Sequence, residues 1–272
     1  MIIEAWQFDF IRYAVYAALL ASIACGIVGT LVVVRRVVFI SGGIAHTAFG
    51  GIGLGYFMGW NPVITMLPFS VLAAIILGLI KKNSKLSEDS GIGMLWSFGM
   101  ALGILFISMT PRYTPDLFSY LFGNILAVPY SDLWIMIGLD VVLIILVATL
   151  YKPLLLVSFD EEYAATRRIP VFLFYVGILI AVALTIVVLI RIVGIILVIS
   201  LLTIPASIAR QFTYNLGKMM VIASVVGVIL TLTGLIFSYF LDLPSGAVII
   251  MLSIFIYGVI TVINKLIRSE AF

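Results

Sequence analysis

The sequence predicts an all-α protein that crosses a membrane repeatedly, in about eight to nine helices. Of its 272 residues, 64% are hydrophobic and only 10% are charged, whereas a soluble domain carries about 25% charged residues. The charges fall in short clusters that separate apolar runs of about 20 residues, the length that a membrane span needs. The cationic clusters can also all be placed on one side of a membrane. We therefore expect a single transmembrane domain over residues 1–272.

Nine segments qualify as spans. The second, which is rich in glycine, and the seventh, which is short, are the weakest, so merging two of them into an eight-span protein stays an alternative. The segments cover residues 10–34, 39–58, 62–80, 92–109, 132–150, 171–190, 192–209, 219–240 and 245–264.

Lysine and arginine in the loops indicate the orientation, because cytoplasmic loops carry an excess of these residues. Nine spans with the N-terminus outside place all five cationic groups in the cytoplasm, which supports nine. The net charge of +3 reflects this bias and does not indicate a nucleic-acid surface. We expect Arg35 and Arg36 to set topology. The groups are Arg35 with Arg36; Lys81, Lys82 and Lys85; Lys152 with Arg167 and Arg168; Arg210 with Lys218; and Lys265 with Arg268.

Two further segments predict helices that do not cross. Residues 115–128 are apolar but too short, which is typical of an interfacial or re-entrant helix, here on the outer side. Residues 158–170 are polar, with acids first and arginines last, as the helix dipole favours, and Ser158 or Asp160 can cap them. Pro170 marks the end of this segment. It predicts a short amphipathic helix in a cytoplasmic loop; the alternative is a solvated connector.

Four ionisable residues lie within or at the outer ends of spans. His46 is the only histidine, and it either binds a transition metal or closes a hydrogen bond between helices. Asp140 lies in mid-span and should face the bundle interior, where a helix–helix hydrogen bond is the alternative to a functional role. Asp242 precedes a Leu-Pro-Ser-Gly turn and could serve that turn alone. Arg191 could extend to the outer interface.

Enzyme signatures do not occur in the sequence. A His-Glu-x-x-His zinc motif is impossible with one histidine, and there is no Gly-x-x-x-x-Gly-Lys-Ser/Thr phosphate loop. The single Cys25 excludes an intrachain disulfide and a cysteine metal cluster. The chain is therefore not expected to be an enzyme, and any ATP that drives it must be hydrolysed by another subunit.

Six motifs occur along the chain in a fixed order. Each is weak alone, but together they resemble the integral-membrane permeases of zinc- and manganese-type ABC importers over nearly the whole chain. They are Val34-Arg35-Arg36 with Ala45-His46; Leu86-Ser87-Glu88-Asp89-Ser90-Gly91 with Ala101-Leu102-Gly103; Asp116 to Leu126; Phe159-Asp160-Glu161-Glu162-Tyr163-Ala164; Val193-Gly194 through Thr203-Ile204-Pro205-Ala206; and Gly234-Leu235 through Asp242-Leu243-Pro244-Ser245-Gly246.

The resemblance implies the type II importer architecture of cobalamin and siderophore permeases. It implies a homodimer in the membrane, a cytoplasmic ABC ATPase dimer that binds ATP, and an extracytoplasmic metal-binding protein. No cofactor is permanently bound, and the transported divalent metal is cargo. The polar loop then becomes the coupling helix that docks on the ATPase. Its contacts are expected from Phe159, Asp160, Glu161, Glu162, Ala164 and Arg167.

The resemblance also implies a metal pathway with one departure from the family. The family places an aspartate four residues before the histidine and another in the late Asp-x-Pro turn. His46 and Asp242 match, but the early aspartate is replaced by Gly42. Asp140 would be a further pathway residue if it faced the path. In the coupling loop, Arg168 stands where the family usually has glycine.

The sequence leaves the cargo open. Imidazole with carboxylate suits zinc, manganese and iron(II) alike. We expect a permease for a divalent transition metal in the inner membrane of a prokaryote. The alternatives are the same fold importing a chelated metal or another small solute, and a stand-alone secondary transporter or membrane enzyme.

Overall fold

A computed structural model describes residues 8–83, 85–111 and 118–270, almost entirely as α-helix. Within these ranges nine helices are long and apolar enough to cross a membrane, which confirms the nine predicted spans. In chain order the helices are α1 (Asp9–Val34), α2 (Val38–Met58), α3 (Pro62–Asn83), α4 (Glu88–Ser108), α5 (Phe118–Phe122), α6 (Tyr130–Phe159), α7 (Glu161–Thr166), α8 (Val171–Val193), α9 (Ile195–Phe212), α10 (Leu216–Leu241) and α11 (Ser245–Glu270).

Helix α6 extends well beyond the predicted span of 132–150. It continues to Phe159 through a kink at Leu150, where φ is −106° and ψ is 17°. Pro153 explains the kink, because proline donates no backbone hydrogen bond and its ring clashes with the carbonyl four residues earlier. Ser158 and Phe159 therefore end α6 and do not begin the loop helix. The loop helix α7 is correspondingly shorter than the predicted 158–170 segment.

Helix α1 forms the centre of the bundle, packed against α6, α8, α9 and α10. Its alanines, among them Ala17, Ala18 and Ala21, are fully buried and let the neighbouring helices approach closely. A second group of helices forms where α2 packs between α3 and α4. Gly53 and Gly103 meet at the α2–α4 contact, where a Cβ on Gly53 would collide with the Gly103 backbone. Most of the span surfaces of α4, α6 and α11 remain exposed and face lipid or another subunit.

The chain reverses between α8 and α9 at one residue, Gly194. Its φ of 79° and ψ of 161° are accessible to glycine and not to residues with a Cβ. The start of α8 and the end of α9 lie at the same side, since Tyr175 lies near Arg35 and Arg210 donates to the Val33 carbonyl. The predicted spans 171–190 and 192–209 are thus two separate crossings, joined on the outer side. The backbone of Gly123 packs against this reversal so closely that no Cβ fits on either glycine.

Candidate functional site

His46 lies on the face of α2 that packs against α4. Its ring stacks on the Trp96 indole, with the centroids 3.8 Å apart and the planes 10° from parallel. Its buried Nδ1 has no hydrogen-bond partner among the described residues. The predicted alternative is a hydrogen bond between helices, and among the described residues this nitrogen does not make one. The imidazole is held by aromatic stacking, and this ring nitrogen has a lone pair or proton to offer.

Gly42 lies one helical turn before His46 and faces the same indole. A Cβ built on Gly42 would lie 3.7 Å from Cζ3 of Trp96, an ordinary contact. The Trp96 ring therefore occupies space into which a longer side chain at residue 42 would extend. Sequence reasoning missed Trp96. The available signal was its depth, because the other three tryptophans, Trp6, Trp60 and Trp134, fall near predicted membrane interfaces.

Asp242 caps the outer end of α10 in the left-handed conformation, with φ 53° and ψ 43°. Ser238 closes the turn by donating its hydroxyl to the Leu243 carbonyl at 2.6 Å, and the Asp242 side chain is exposed. His46 lies twelve residues before Met58, the last residue of α2, so it is roughly 18 Å below the outer end of that helix at 1.5 Å per residue. One subunit therefore does not bring His46 and Asp242 into one coordination shell.

Asp140 is buried in the packing between α6 and α1. Its side chain is 5% exposed and lies within electrostatic reach of the buried Cys25 thiol on α1. In the described part of the chain neither carboxylate oxygen has a hydrogen-bond partner, so the predicted helix–helix hydrogen bond is not formed. The same part contains no cluster of three or more histidine, cysteine, aspartate or glutamate side chains suited to a metal ion. The shared roles of His46, Asp242 and Asp140 in a metal pathway remain a prediction.

Residues 158–170, the predicted coupling segment, are organised around helix α7. Asp160 caps it, since the Asp160 carboxylate accepts a hydrogen bond of 2.9 Å from the Tyr163 amide. At the other end Arg168 has a φ of 58°, and the Ile169 amide reaches back to the Ala164 carbonyl, as in a helix C-cap. Residues with a Cβ adopt the left-handed conformation at some cost, which glycine avoids, so Arg168 is mildly strained here.

The arginine that follows α1 as its C-cap holds this segment. The Arg35 side chain is only 3% exposed; it donates to Glu161 Oε1 at 2.6 Å and to the Val157 carbonyl. Lys81, at the end of α3, lies 3.7 Å from the same Glu161 oxygen and 4.1 Å above the ring of Tyr175 on α8. We call Arg35, Lys81, Glu161 and Tyr175 the coupling latch. Arg35 thus does more than set topology, a role that sequence reasoning missed.

The other predicted coupling residues differ in accessibility. Phe159 and Glu162 are exposed and able to meet a partner, whereas Ala164 is fully buried beneath the helix. The Arg167 guanidinium is occupied by its own helix, since its Nη2 donates to the Tyr163 hydroxyl at 2.7 Å. Ala164 therefore packs α7 onto the bundle, while Glu162 on α7 and Phe159 at the end of α6 are exposed.

The outer side carries a small polar cavity of about 220 Å³ bordered by Tyr56, Tyr120 and Arg191. The two tyrosine hydroxyls lie 2.6 Å apart; burial, and then the hydrogen bond with Tyr56, raise the pKa of Tyr120 above its ordinary value. Arg191 Nη1 lies 3.7 Å from Asp132 Oδ2, so Arg191 forms an ion pair at the outer interface.

The predicted outer helix is present as α5 and the 3₁₀ turn Ile125–Ala127. Residues 115–117 of the predicted segment lie outside the described residues.

Three comparisons place this architecture among known proteins. The model of the family described as "ABC 3 transport family" matches residues 7–264. A membrane protein of Synechocystis sp., itself uncharacterised, is 45% identical over 94% of this chain and 91% of its own length. The manganese transport system membrane protein MntC of Listeria monocytogenes is 34% identical over 92% of this chain and 89% of its own length. The solved PsaBC of Streptococcus pneumoniae, in complex with Fab, superposes with a TM-score of 0.86 at 31% identity, over 96% of this chain and 95% of that one.

Proposed function

The chain belongs to the ABC 3 transport family, and from that premise we propose that it is the permease through which a divalent transition metal, manganese or zinc, is imported. Its fold is the type II ABC importer permease fold that the sequence predicted. It is the transport component in the membrane and not a catalytic subunit. Two relatives are named as manganese transport or import proteins, which supports manganese as the transported metal.

His46 is the observation that carries the proposal. A histidine in a membrane span is costly unless it has a function or a partner, and here its Nδ1 is buried without one among the described residues. A neutral imidazole is a common metal ligand and suits zinc, whereas manganese favours oxygen ligands such as the Asp242 carboxylate. A single imidazole binds weakly, which suits a pathway residue, because a transported ion must also be released.

We propose that Asp242 and His46 act in succession. The exposed carboxylate at the outer end of α10 attracts the cation as it enters, and His46 meets it deeper in the membrane. Two copies of the permease around a shared axis would present two of each residue. An extracytoplasmic metal-binding protein would deliver the ion, and two cytoplasmic ATPases would dock on the α7 helices.

The coupling latch supplies a route from the ATPase to the spans. An ATPase that contacts Glu162 on α7 and Phe159 at the end of α6 also moves Glu161, which is hydrogen-bonded to Arg35, the C-cap of α1. Because α1 is the centre of the bundle, displacement of α7 reaches every helix packed on it. ATP binding would in this way favour one arrangement of the dimer over another.

Metal uptake by two His46 variants tests the proposal. His46→Phe keeps an aromatic ring on Trp96 but removes both nitrogens, and His46→Ala removes ring and nitrogens together. We expect both to lower manganese or zinc uptake at least about tenfold, equivalent to roughly 1.4 kcal/mol, in cells that lack their own importers and carry the cognate ATPase and binding protein. Assembly with the ATPase and basal ATP hydrolysis should remain. Uptake by His46→Phe at the wild-type rate would show that His46 serves only in packing.

A second candidate, import of a chelated metal or another small solute, is favoured by Gly42 and Trp96. At residue 42 the pathway has an indole face in place of a carboxylate, and an aromatic face suits an organic ligand better than a bare ion. The same cells decide between the two candidates when supplied with free metal or with metal chelate. The cognate binding protein gives an independent answer, since a metal site of histidine and carboxylates indicates a bare ion and an open organic pocket indicates a complex.

A further inference from the structure

A polar cleft of about 530 Å³ opens between the cytoplasmic ends of α9 and α11. Arg210 and Tyr214 line it from one side, and Tyr257 and Lys265 from the other. Neither the proposed pathway nor the coupling latch uses this cleft. Its size exceeds that of a simple inorganic anion and suits a headgroup with part of the molecule that carries it.

The charge of the cleft is positive. None of the described residues that line it is acidic. The Arg210 guanidinium donates a long 3.3 Å bond to the Val33 carbonyl, and Lys265 is exposed, with no ion pair in the part of the chain that the structure describes. A neighbouring cavity of about 290 Å³ shares Arg210 and Tyr214 and adds Arg36. Arg35 and Lys81, at the same membrane face, by contrast share an ion pair with Glu161.

Hydrogen bonds between the two helices keep the cleft open. Gln211 donates to the Thr261 hydroxyl at 2.9 Å and accepts from the Asn264 amide at 2.8 Å. These bonds fix the spacing of α9 and α11 and occupy the amide groups. The cationic side chains are left to bind a ligand, and the site needs little reorganisation to do so.

The cleft lies at the depth of lipid headgroups. Lys265 comes two residues before Ile267, where the apolar part of α11 ends, and Val262 and Leu266 beside it are exposed apolar side chains. Tyrosines are common at this interface, and basic pockets between spans on the cytoplasmic side bind anionic headgroups. We propose that the cleft binds the phosphodiester headgroup of an anionic phospholipid from the cytoplasmic leaflet, with the acyl chains along α11.

Lipid retention by charge variants tests this site. The full-length permease is purified and reconstituted in nanodiscs of phosphatidylcholine with rising fractions of phosphatidylglycerol, and bound lipid is counted by native mass spectrometry. We expect Lys265→Gln and Arg210→Gln each to weaken phosphatidylglycerol retention about fivefold, since one basic residue near the surface contributes that much. Lys218→Gln, which removes an exposed cation outside both cavities, is the matched control and should retain lipid like the wild type. Lys265 is exposed and its side chain makes no hydrogen bond or ion pair among the described residues, so Lys265→Gln remains informative if Arg210→Gln fails to fold.

Three results would overturn the proposal. The first is retention by Lys265→Gln equal to that of Lys218→Gln. The second is displacement of phosphatidylglycerol by millimolar inorganic phosphate, which would make the cleft a site for a free anion. The third is loss of ATPase co-purification in Lys265→Gln with lipid retention unchanged, which would assign these cations to a protein partner.

Discussion

Charged groups in the coupling latch are paired, whereas several polar groups inside the spans have no partner among the described residues. In the latch, Glu161 is met by two cations, and the Arg35 guanidinium contacts a carboxylate, a carbonyl and an aromatic ring. Inside the spans, Nδ1 of His46 and both oxygens of Asp140 have no partner among the described residues. The latch charges are therefore part of the fold, whereas the interior groups are either kept for a ligand or tolerated in a neutral form.

The largest expected effect lies in the latch. Arg35→Ala leaves Glu161 with Lys81 alone and removes a donor from the Val157 carbonyl. Each of the two lost hydrogen bonds has a charged donor and contributes about 1.5–3 kcal/mol. Because Glu161 is partly exposed, we expect the lower end of that range, seen as a reduced thermal midpoint of the purified permease. Metal uptake should fall further than stability alone explains, with ATP hydrolysis no longer responding to the binding protein.

Glu162→Gln is the matched control for the latch. Glu162 neighbours Glu161 on α7, is exposed, and makes no ion pair in the described part of the chain. Its variant should keep the thermal midpoint of the wild type. An equal loss of stability in Arg35→Ala and Glu162→Gln would mean that the latch contributes no specific stabilisation.

The latch also shows what sequence could and could not predict. Nine spans, the outer helix and the Asp160 cap follow from local patterns, because apolar length and capping chemistry act over a few residues. The Arg35–Glu161 pair joins residues 126 positions apart, so no local pattern contains it. The His46–Trp96 stack is likewise tertiary. Sequence reasoning thus singled out His46 and the predicted coupling loop as candidates but not the groups that contact them.

Replacing Asp140 should have an intermediate effect on thermal stability. Unlike the loss of Arg35, it should raise stability. A buried polar group without a hydrogen bond costs about 1–3 kcal/mol, so Asp140→Leu should raise the thermal midpoint of the purified permease. Asp140→Asn, which keeps a polar group at the same site, should give little or no gain. Metal uptake should be unchanged in both. A clear loss of uptake in Asp140→Leu with its stability raised would instead place Asp140 on the metal path, as its mid-span position first suggested.

The smallest expected effect comes from loss of the Asp160 cap. It tests how firmly α7 is held when the coupling latch is intact. Asp160→Ala removes the acceptor for the Tyr163 amide, and loss of such a cap costs about 1 kcal/mol. Asp160→Asn keeps a capping oxygen and loses only the charge, so it should lie within a few tenths of a kcal/mol of the wild type. Hydrogen exchange of the α7 amides measures both. If Arg35 and Lys81 hold the segment through Glu161, the uncapped helix should fray at its first turn while its position on the bundle, and metal uptake, change little. Complete loss of α7 protection in Asp160→Ala would show that the cap, and not the latch, keeps the coupling segment in place.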